Sequence, residues 1–206
     1  MKIGVLTFHF AHNYGAMLQA YALIMKLQSL GFDAEVIDYR LPCIYDNHEK
    51  KTFFQFFKKN CRYNNWFIAA LKTIKNYWKN RFRGKRWELF ETFYNDFIPK
   101  SERVFNVLNA CSYDAIIYGS DQIWNSKLTE GLQPVYFADG IPKSVKKIAY
   151  AASCGTNSID KSDQELFKKL INNFDTVSVR EMDFSFYLRR LMSINVPVVI
   201  DPIFLL

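Results

Sequence analysis

Short runs of β-branched and aromatic residues recur along the chain, and most are followed at once by a polar cluster. The runs are Ile3-Gly4-Val5-Leu6-Thr7-Phe8, Ala34-Glu35-Val36-Ile37-Asp38-Tyr39, Ala115-Ile116-Ile117-Tyr118, Lys147-Ile148-Ala149-Tyr150-Ala151-Ala152, Val177-Ser178-Val179 and Val198-Val199-Ile200. Their length and residue types predict β-strands, and several lack polar alternation, as strands covered on both faces do. Between them the period lengthens. Ala16–Leu30 places Leu18, Ala22, Met25 and Leu30 near helical spacing, with Gly31 as a stop signal. Ile159–Phe174 opens with acids and carries Leu166, Phe167, Leu170 and Ile171 on one side, and Glu181–Met192 is a third predicted helix. Strand alternating with helix predicts an α/β, doubly wound domain with a mostly parallel sheet.

In such a sheet the loops at the strands' carboxyl ends line one crevice, where ligands bind. The polar clusters fall there: His9–Gln19, Gly119–Asn125, Ser153–Asn157 and Arg180–Glu181. The first leads into a helix whose free amide groups form a ready anion site. Asn13 is either the cap of that helix or a partner for a sugar hydroxyl. Tyr14 follows it, Gly15 permits a turn or a close backbone approach, and Gln19 sits one turn further on. His9 and His12 read as loop or packing residues rather than catalysts. Neither G-x-G-x-x-G nor a P-loop pattern occurs, so neither a dinucleotide fingerprint nor a Walker-type site is predicted.

The second cluster, Gly119-Ser120-Asp121-Gln122-Ile123-Trp124-Asn125, is a tight turn with donors and acceptors around an indole, a combination suited to a sugar ring. Asp121 would accept a hydroxyl proton as general base or cap a following helix. Trp124 would stack on a sugar or fill the core. Ser153 and Gly155 add a hydroxyl and a flexible backbone at the same edge. Cys154, with no activating partner in view, reads as a buried thiol. Arg180 can grip a phosphate or carboxylate in bidentate fashion with Glu181 holding its orientation, or the two form an ordinary ion pair.

At 206 residues with 50% hydrophobic content, the chain is sized for one domain with a substantial core. Cysteines 43, 61, 111 and 154 have no C-x-x-C spacing and no histidine companions, so neither a metal site nor a disulfide framework is expected, and a cytoplasmic setting is; no cofactor is expected either. The apolar start is too brief for a signal peptide, and no run approaches the roughly 20 residues that span a bilayer.

Charge changes the picture more. The net charge of +7 is concentrated: Lys50 to Trp87 holds twelve Lys or Arg, no acid and eleven aromatics, while the remainder has fifteen bases and twenty acids. A basic, aromatic helical excursion is predicted at about 50–97, with Phe67, Leu71, Ile74 and Trp78 on one face and Lys72, Lys75 and Lys79 directed elsewhere. It reads as a helical layer packed on the sheet or as a contact with an anionic membrane surface through 50–87, and not as a nucleic-acid site.

Five blocks carry a resemblance: Asn13-Tyr14-Gly15-Ala16-Met17-Leu18-Gln19-Ala20-Tyr21-Ala22-Leu23, Tyr118-Gly119-Ser120-Asp121-Gln122-Ile123-Trp124-Asn125, Ile148-Ala149-Tyr150-Ala151-Ala152-Ser153, Val177-Ser178-Val179-Arg180-Glu181 and Val199-Ile200-Asp201-Pro202. In that order they resemble the polysaccharide pyruvyl transferase family. The resemblance implies a Rossmann-like domain similar to the N-terminal half of a GT-B fold. It also implies transfer of a pyruvyl group from phosphoenolpyruvate to glycan hydroxyls as a ketal, in exopolysaccharide or cell-surface polysaccharide synthesis. The block around Arg180 matches a family position expected to help hold the donor. Members usually continue into a second domain, whereas this sequence stops at Leu206. A separate C-terminal half or self-association is therefore expected, and turnover by this chain alone stays open. A nucleotide-sugar glycosyltransferase half and a non-catalytic glycan- or partner-binding domain are the alternative readings, with a glycan or lipid-linked oligosaccharide as the partner in the leading one.

Overall fold

The apolar runs do assemble into one sheet. The computed structural model describes residues 1–44, 66–82, 84–107 and 112–206. Among them, strands β1 (Lys2–Leu6), β2 (Asp33–Val36), β3 (Ala115–Tyr118), β4 (Lys146–Ala152) and β5 (Thr176–Val179) alternate with helices α1 (Tyr14–Ser29), α2 (Trp66–Phe82), α3 (Gly84–Phe97), α4 (Gln164–Ile171) and α5 (Met182–Met192). The strand order is β2-β1-β3-β4-β5, and every pairing is parallel. Val5 lies between Val36 and Ile117 in this register. Helices cover both faces, so the domain is a Rossmann-like, doubly wound α/β fold. The order reverses between β1 and β3, which places the expected ligand crevice over their carboxyl ends.

Strand side chains alternate between faces, and each face has its own core. On one, Ile3, Val5 and Ile117 meet Met17, Leu23, Ile24 and Leu27 of α1 and Phe90 and Tyr94 of α3. On the other, Leu6, Ile116 and Tyr118 meet Phe167, Leu170 and Ile171 of α4 and Phe184 and Leu188 of α5, with Trp124, Tyr136 and Phe137 between them. Full burial of such a side chain contributes about 1.5–3 kcal/mol.

Several expected elements change shape. Helix α4 spans Gln164–Ile171 rather than Ile159–Phe174. The chain turns first, with the Asp163 amide donating to Asp160 O at 2.9 Å, although Ile159 stays buried. Val198–Ile200 forms no strand, only a parallel bridge from Val198 to Val179. Pro197 lacks the N–H that would extend the ladder. In α2 the expected stripe is not the buried one: Leu71 and Ile74 are exposed, while Ala69 and Thr73, one turn apart, are buried. Phe67, Trp78 and Lys79 lie outside the described side chains, and residues 50–65 of the expected excursion lie outside the described residues.

Two features shape the sheet's carboxyl edge. Strand β4 bulges between Ala149 and Ala152, with Ala151 at φ 48°. Ser178 bridges the gap: its hydroxyl accepts from the Ala151 amide at 3.2 Å and donates to Ala149 O at 3.1 Å. The last residues then cross one face. The Tyr150 hydroxyl donates to Ile200 O at 3.2 Å, and the 3-10 turn Pro202–Leu205 packs on α1.

Candidate functional site at the carboxyl edge

Beyond β3 the chain passes tightly over β4. Gly119 has φ 117°, and a Cβ there would run into Tyr150 O, so a side chain is excluded at this point. Its neighbour Ser120 is fully buried, and the Ser120 amide donates to Gln19 Oε1 at 3.1 Å. Gln19 Nε2 donates to Thr7 Oγ1 and to Ala16 O, each at 2.9 Å. Gln19 thus ties the ends of β1 and β3 to the first turn of α1, and its buried amide already has protein partners at both ends.

Asn13 caps α1. Its Oδ1 accepts from the amides of Gly15 at 2.8 Å and Ala16 at 3.4 Å. That occupies two donors of the helix start while Asn13, Tyr14 and Gly15 stay exposed.

The loops after β3 and β4 are fastened together. The Ser153 amide donates to Asp121 O at 3.2 Å, and the Trp124 amide to Ser153 O at 3.1 Å. Ser153, fully buried, accepts from the Gly155 amide at 2.9 Å through its hydroxyl. Gln122 Oε1 accepts from Asn125 Nδ2 at 2.9 Å. Gly155, at φ 69°, fits under this pair, since a Cβ would stand 2.6 Å from Asn125 Nδ2 and 2.7 Å from Gln122 Cδ. Trp124 is a core residue rather than a platform for a sugar. It is 1% exposed, its indole stacks on Phe137 at 5.5 Å between centroids, and its Nε1 donates to Tyr136 O at 3.1 Å. Cys154 is buried, as expected, and burial pushes its thiol pKa up.

Arg180 is the hub. Its Nε donates to Glu181 Oε1 at 3.0 Å, and its Nη1 to Ser120 O at 3.0 Å and to Asp201 Oδ2 at 2.9 Å. Nη2 makes no hydrogen bond among the described residues. Ser120 Oγ and Glu181 Oε2, on two residues whose other oxygens accept from the guanidinium, are buried with no hydrogen-bond partner. Native proteins rarely leave such groups unmatched. Asp121 stands close by, its Oδ1 accepting from the Gln122 amide at 2.7 Å. Burial pushes the Asp121 carboxyl pKa up, against that amide and the charge of Arg180. The direction is the one that suits a general base. The structure therefore gathers Ser120, Asp121, Arg180, Glu181 and Asp201 at one place, with Gln19 beneath and Asn13 and Tyr14 at the start of the neighbouring helix.

Sequence reasoning missed Asp201 as a member of this group. The signal was there: an Asp immediately before Pro202 is the cap of a turn, and Asp201 Oδ1 accepts from the Ile203 amide at 3.0 Å. It also missed a second cluster at the ends of β1 and β2. His9 is fully buried, with Nδ1 at 3.0 Å from Thr7 O and Nε2 at 3.1 Å from Asp38 Oδ1. Arg40 donates to both oxygens of Asp38, at 2.8 and 3.1 Å, and reaches the Tyr94 hydroxyl at 3.4 Å. Burial works against the Asp38 carboxylate, but His9 and Arg40 outweigh it and hold its pKa well below the ordinary range. Burial pushes the His9 imidazole pKa down, with Asp38 and the Thr7 carbonyl opposing. His9 is thus a packed, paired residue, and His12 pairs with Glu91 at 2.9 Å.

Among the described residues no group of three or more His, Cys, Asp or Glu is placed to hold a metal ion, and no helix is long and apolar enough to cross a membrane. No curated protein and no solved structure matches the chain. The family model for polysaccharide pyruvyl transferase matches residues 13–206, a span that takes in Asn13, Gln19, Asp121, Arg180 and Asp201. The chain belongs to the polysaccharide pyruvyl transferase family.

Proposed function

We propose that this domain takes part in moving a pyruvyl group from phosphoenolpyruvate to a glycan, and that its carboxyl edge receives the glycan hydroxyls. The observation that carries this reading is the acid-rich group around Arg180: a carboxylate made more basic by burial at Asp121, with buried polar atoms of Ser120 and Glu181 that still lack partners. Carboxylates and hydroxyls accept from sugar hydroxyls, and Arg180, whose Nη2 makes no hydrogen bond among the described residues, would donate to the anionic donor. In the reaction, two hydroxyl oxygens bond to the central carbon of phosphoenolpyruvate and its bond to the phosphate oxygen breaks. One hydroxyl proton ends on the methylene carbon, making the ketal methyl group, and the other leaves with phosphate. Asp121 would take up the proton of the attacking hydroxyl. Gln122 and Asn125, at the rim, would orient the ring, and Gly155 would let it approach. The setting is the cytoplasmic side of the membrane, in exopolysaccharide or cell-surface polysaccharide synthesis.

The test incubates the native protein, with whatever copurifies, with phosphoenolpyruvate and glycan acceptors, and follows inorganic phosphate together with the new ketal methyl resonance by NMR. Both signals together support the reading. Turnover of nucleotide sugars with release of nucleoside diphosphate, and none of phosphoenolpyruvate, would replace it with a glycosyltransferase.

A further inference from the structure

A groove of about 220 Å³ lies between the start of α1 and helix α3, lined by Tyr14, Met17, Leu18, Arg86, Leu89, Phe90 and Phe93. The spacing on each helix explains it. Tyr14, Met17 and Leu18 share one face of α1, and Arg86, Leu89, Phe90 and Phe93 share one face of α3. Met17 and Phe90 are buried and form the floor, while Tyr14, Leu18 and Leu89 are 63%, 38% and 64% exposed and form the walls. Pockets for whole drug-sized ligands begin near about 300 Å³, so this groove suits part of a longer apolar molecule.

Its one charge is Arg86. The guanidinium lies 5.2 Å from the Tyr14 ring centroid and 5.3 Å from that of Phe90. Among the described residues it makes no ion pair and no hydrogen bond. A cation stacked on aromatics keeps its donors for an anion. The stretch from Lys50 to Trp87, which ends beside it, has twelve bases and no acid.

We propose that this groove binds the hydrocarbon chain of a phosphate-bearing lipid, with the phosphate on Arg86. The apolar walls take the chain, the guanidinium takes the phosphate, and the basic α2–α3 region draws the anionic molecule in. Tyr14 belongs to both the groove and the first turn of α1, so a sugar linked through that phosphate would lie toward the carboxyl edge. The proposal deepens the glycan-transfer reading by naming a lipid-phosphate-linked acceptor, and it rests on that reading only for what the lipid carries.

The experiment titrates the native protein with dodecyl phosphate below its micelle concentration, by calorimetry, with dodecanol and inorganic phosphate as controls. Saturable one-to-one binding of dodecyl phosphate is expected, with dodecanol weaker and phosphate silent. Leu89→Glu, a surface change that sets a carboxylate on the apolar wall, should weaken binding at least about tenfold, and Arg86→Gln about two- to fivefold. Circular dichroism confirms that both variants are folded. No saturable binding, or equal binding by Leu89→Glu, overturns the proposal. So does binding to phosphatidylglycerol vesicles without binding of dodecyl phosphate, which makes the region a surface contact, and so does a concentration-dependent dimer that Leu89→Glu dissolves. The two readings fail separately. Dodecyl phosphate binding without phosphoenolpyruvate turnover removes the transfer, whereas turnover on a water-soluble glycan without dodecyl phosphate binding removes the groove.

Discussion

Two clusters at the same edge of the sheet are each built on an arginine–aspartate pair, and they differ in how fully their polar atoms are paired. At the tips of β1 and β2, His9, Asp38, Arg40 and Tyr94 pair among themselves: both Asp38 oxygens accept from Arg40 and one also contacts His9. At the tips of β3 and β5, Arg180 serves Glu181, Asp201 and Ser120 O, yet Ser120 Oγ and Glu181 Oε2 keep unmet capacity. A saturated network fixes a structure, while one with open valences in a half-buried place is fit to meet a ligand. The arginine–aspartate pair is common to both; completeness of pairing separates them.

The sharpest way to break the comparison is Arg180→Lys. A lysine keeps the charge but cannot make the forked contacts. Turnover of phosphoenolpyruvate should fall about 10²-fold or more, with little change in melting temperature. Full turnover would place Arg180 with the structural cluster.

Asp38→Asn tests the other side. It leaves Arg40 and His9 without their anion and should cost about 3 kcal/mol at pH 7, read by urea denaturation. Asp38 has a folded pKa below its unfolded value of about 3.9. Its contribution is therefore complete above that value and lost as pH falls through it toward the folded pKa. The variant should show a flatter stability profile below about pH 5. An unchanged slope there would mean the pair is not what holds this corner.

Trp124→Ala removes the ring at the centre of the second core and should cost about 3–5 kcal/mol. Lost glycan binding at unchanged stability would return the indole to the ligand.

Asp121→Asn should have the smallest effect on folding and the opposite sign. Burial raises the folded pKa of this carboxyl. The ionised form therefore costs stability at neutral pH, and that cost sets in as pH rises through the unfolded pKa. The amide keeps the contact with Gln122, so the variant should gain about 0.5–2 kcal/mol at pH 7 while losing turnover. A loss of stability would show that Asp121 is a structural carboxylate.

The sheet was legible because its signal is local. The run Val177-Ser178-Val179 lies within β5, Thr176–Val179, since a short β-branched run between Asp175 and Arg180 has few other ways to lie. Val198–Ile200 has the same look but is flanked by prolines, and propensity alone could not weigh a missing N–H. The loops after β1, β3, β4 and β5 were legible as a crevice because parallel strands put their carboxyl ends together. Which side chains would meet there was not. The Arg180–Asp201 contact needs the last segment to come back past β5, and His9 with Asp38 needs β2 beside β1. Trp124 shows the limit on the other side: its loop is at the edge, but its ring turns down among Phe137, Phe167 and Phe184, and only the packing decides that. In α2 the small residues Ala69 and Thr73 face inward while the larger Leu71 and Ile74 face out, which a hydrophobicity pattern reads in reverse.

The closing segment of the chain acts mechanically as a strap. It leaves β5 at Val198, is held under the Tyr150 hydroxyl, passes Asp201 across Arg180, and anchors its 3-10 turn on α1. Arg180 in turn grips Ser120 O, and the Ser120 amide hangs on Gln19 in α1. The loop is closed, so tension on residues 202–206 is felt at the guanidinium from both directions. Anything that takes hold of that turn, whether a neighbouring chain or an engineered fusion, has a hand on the orientation of Arg180.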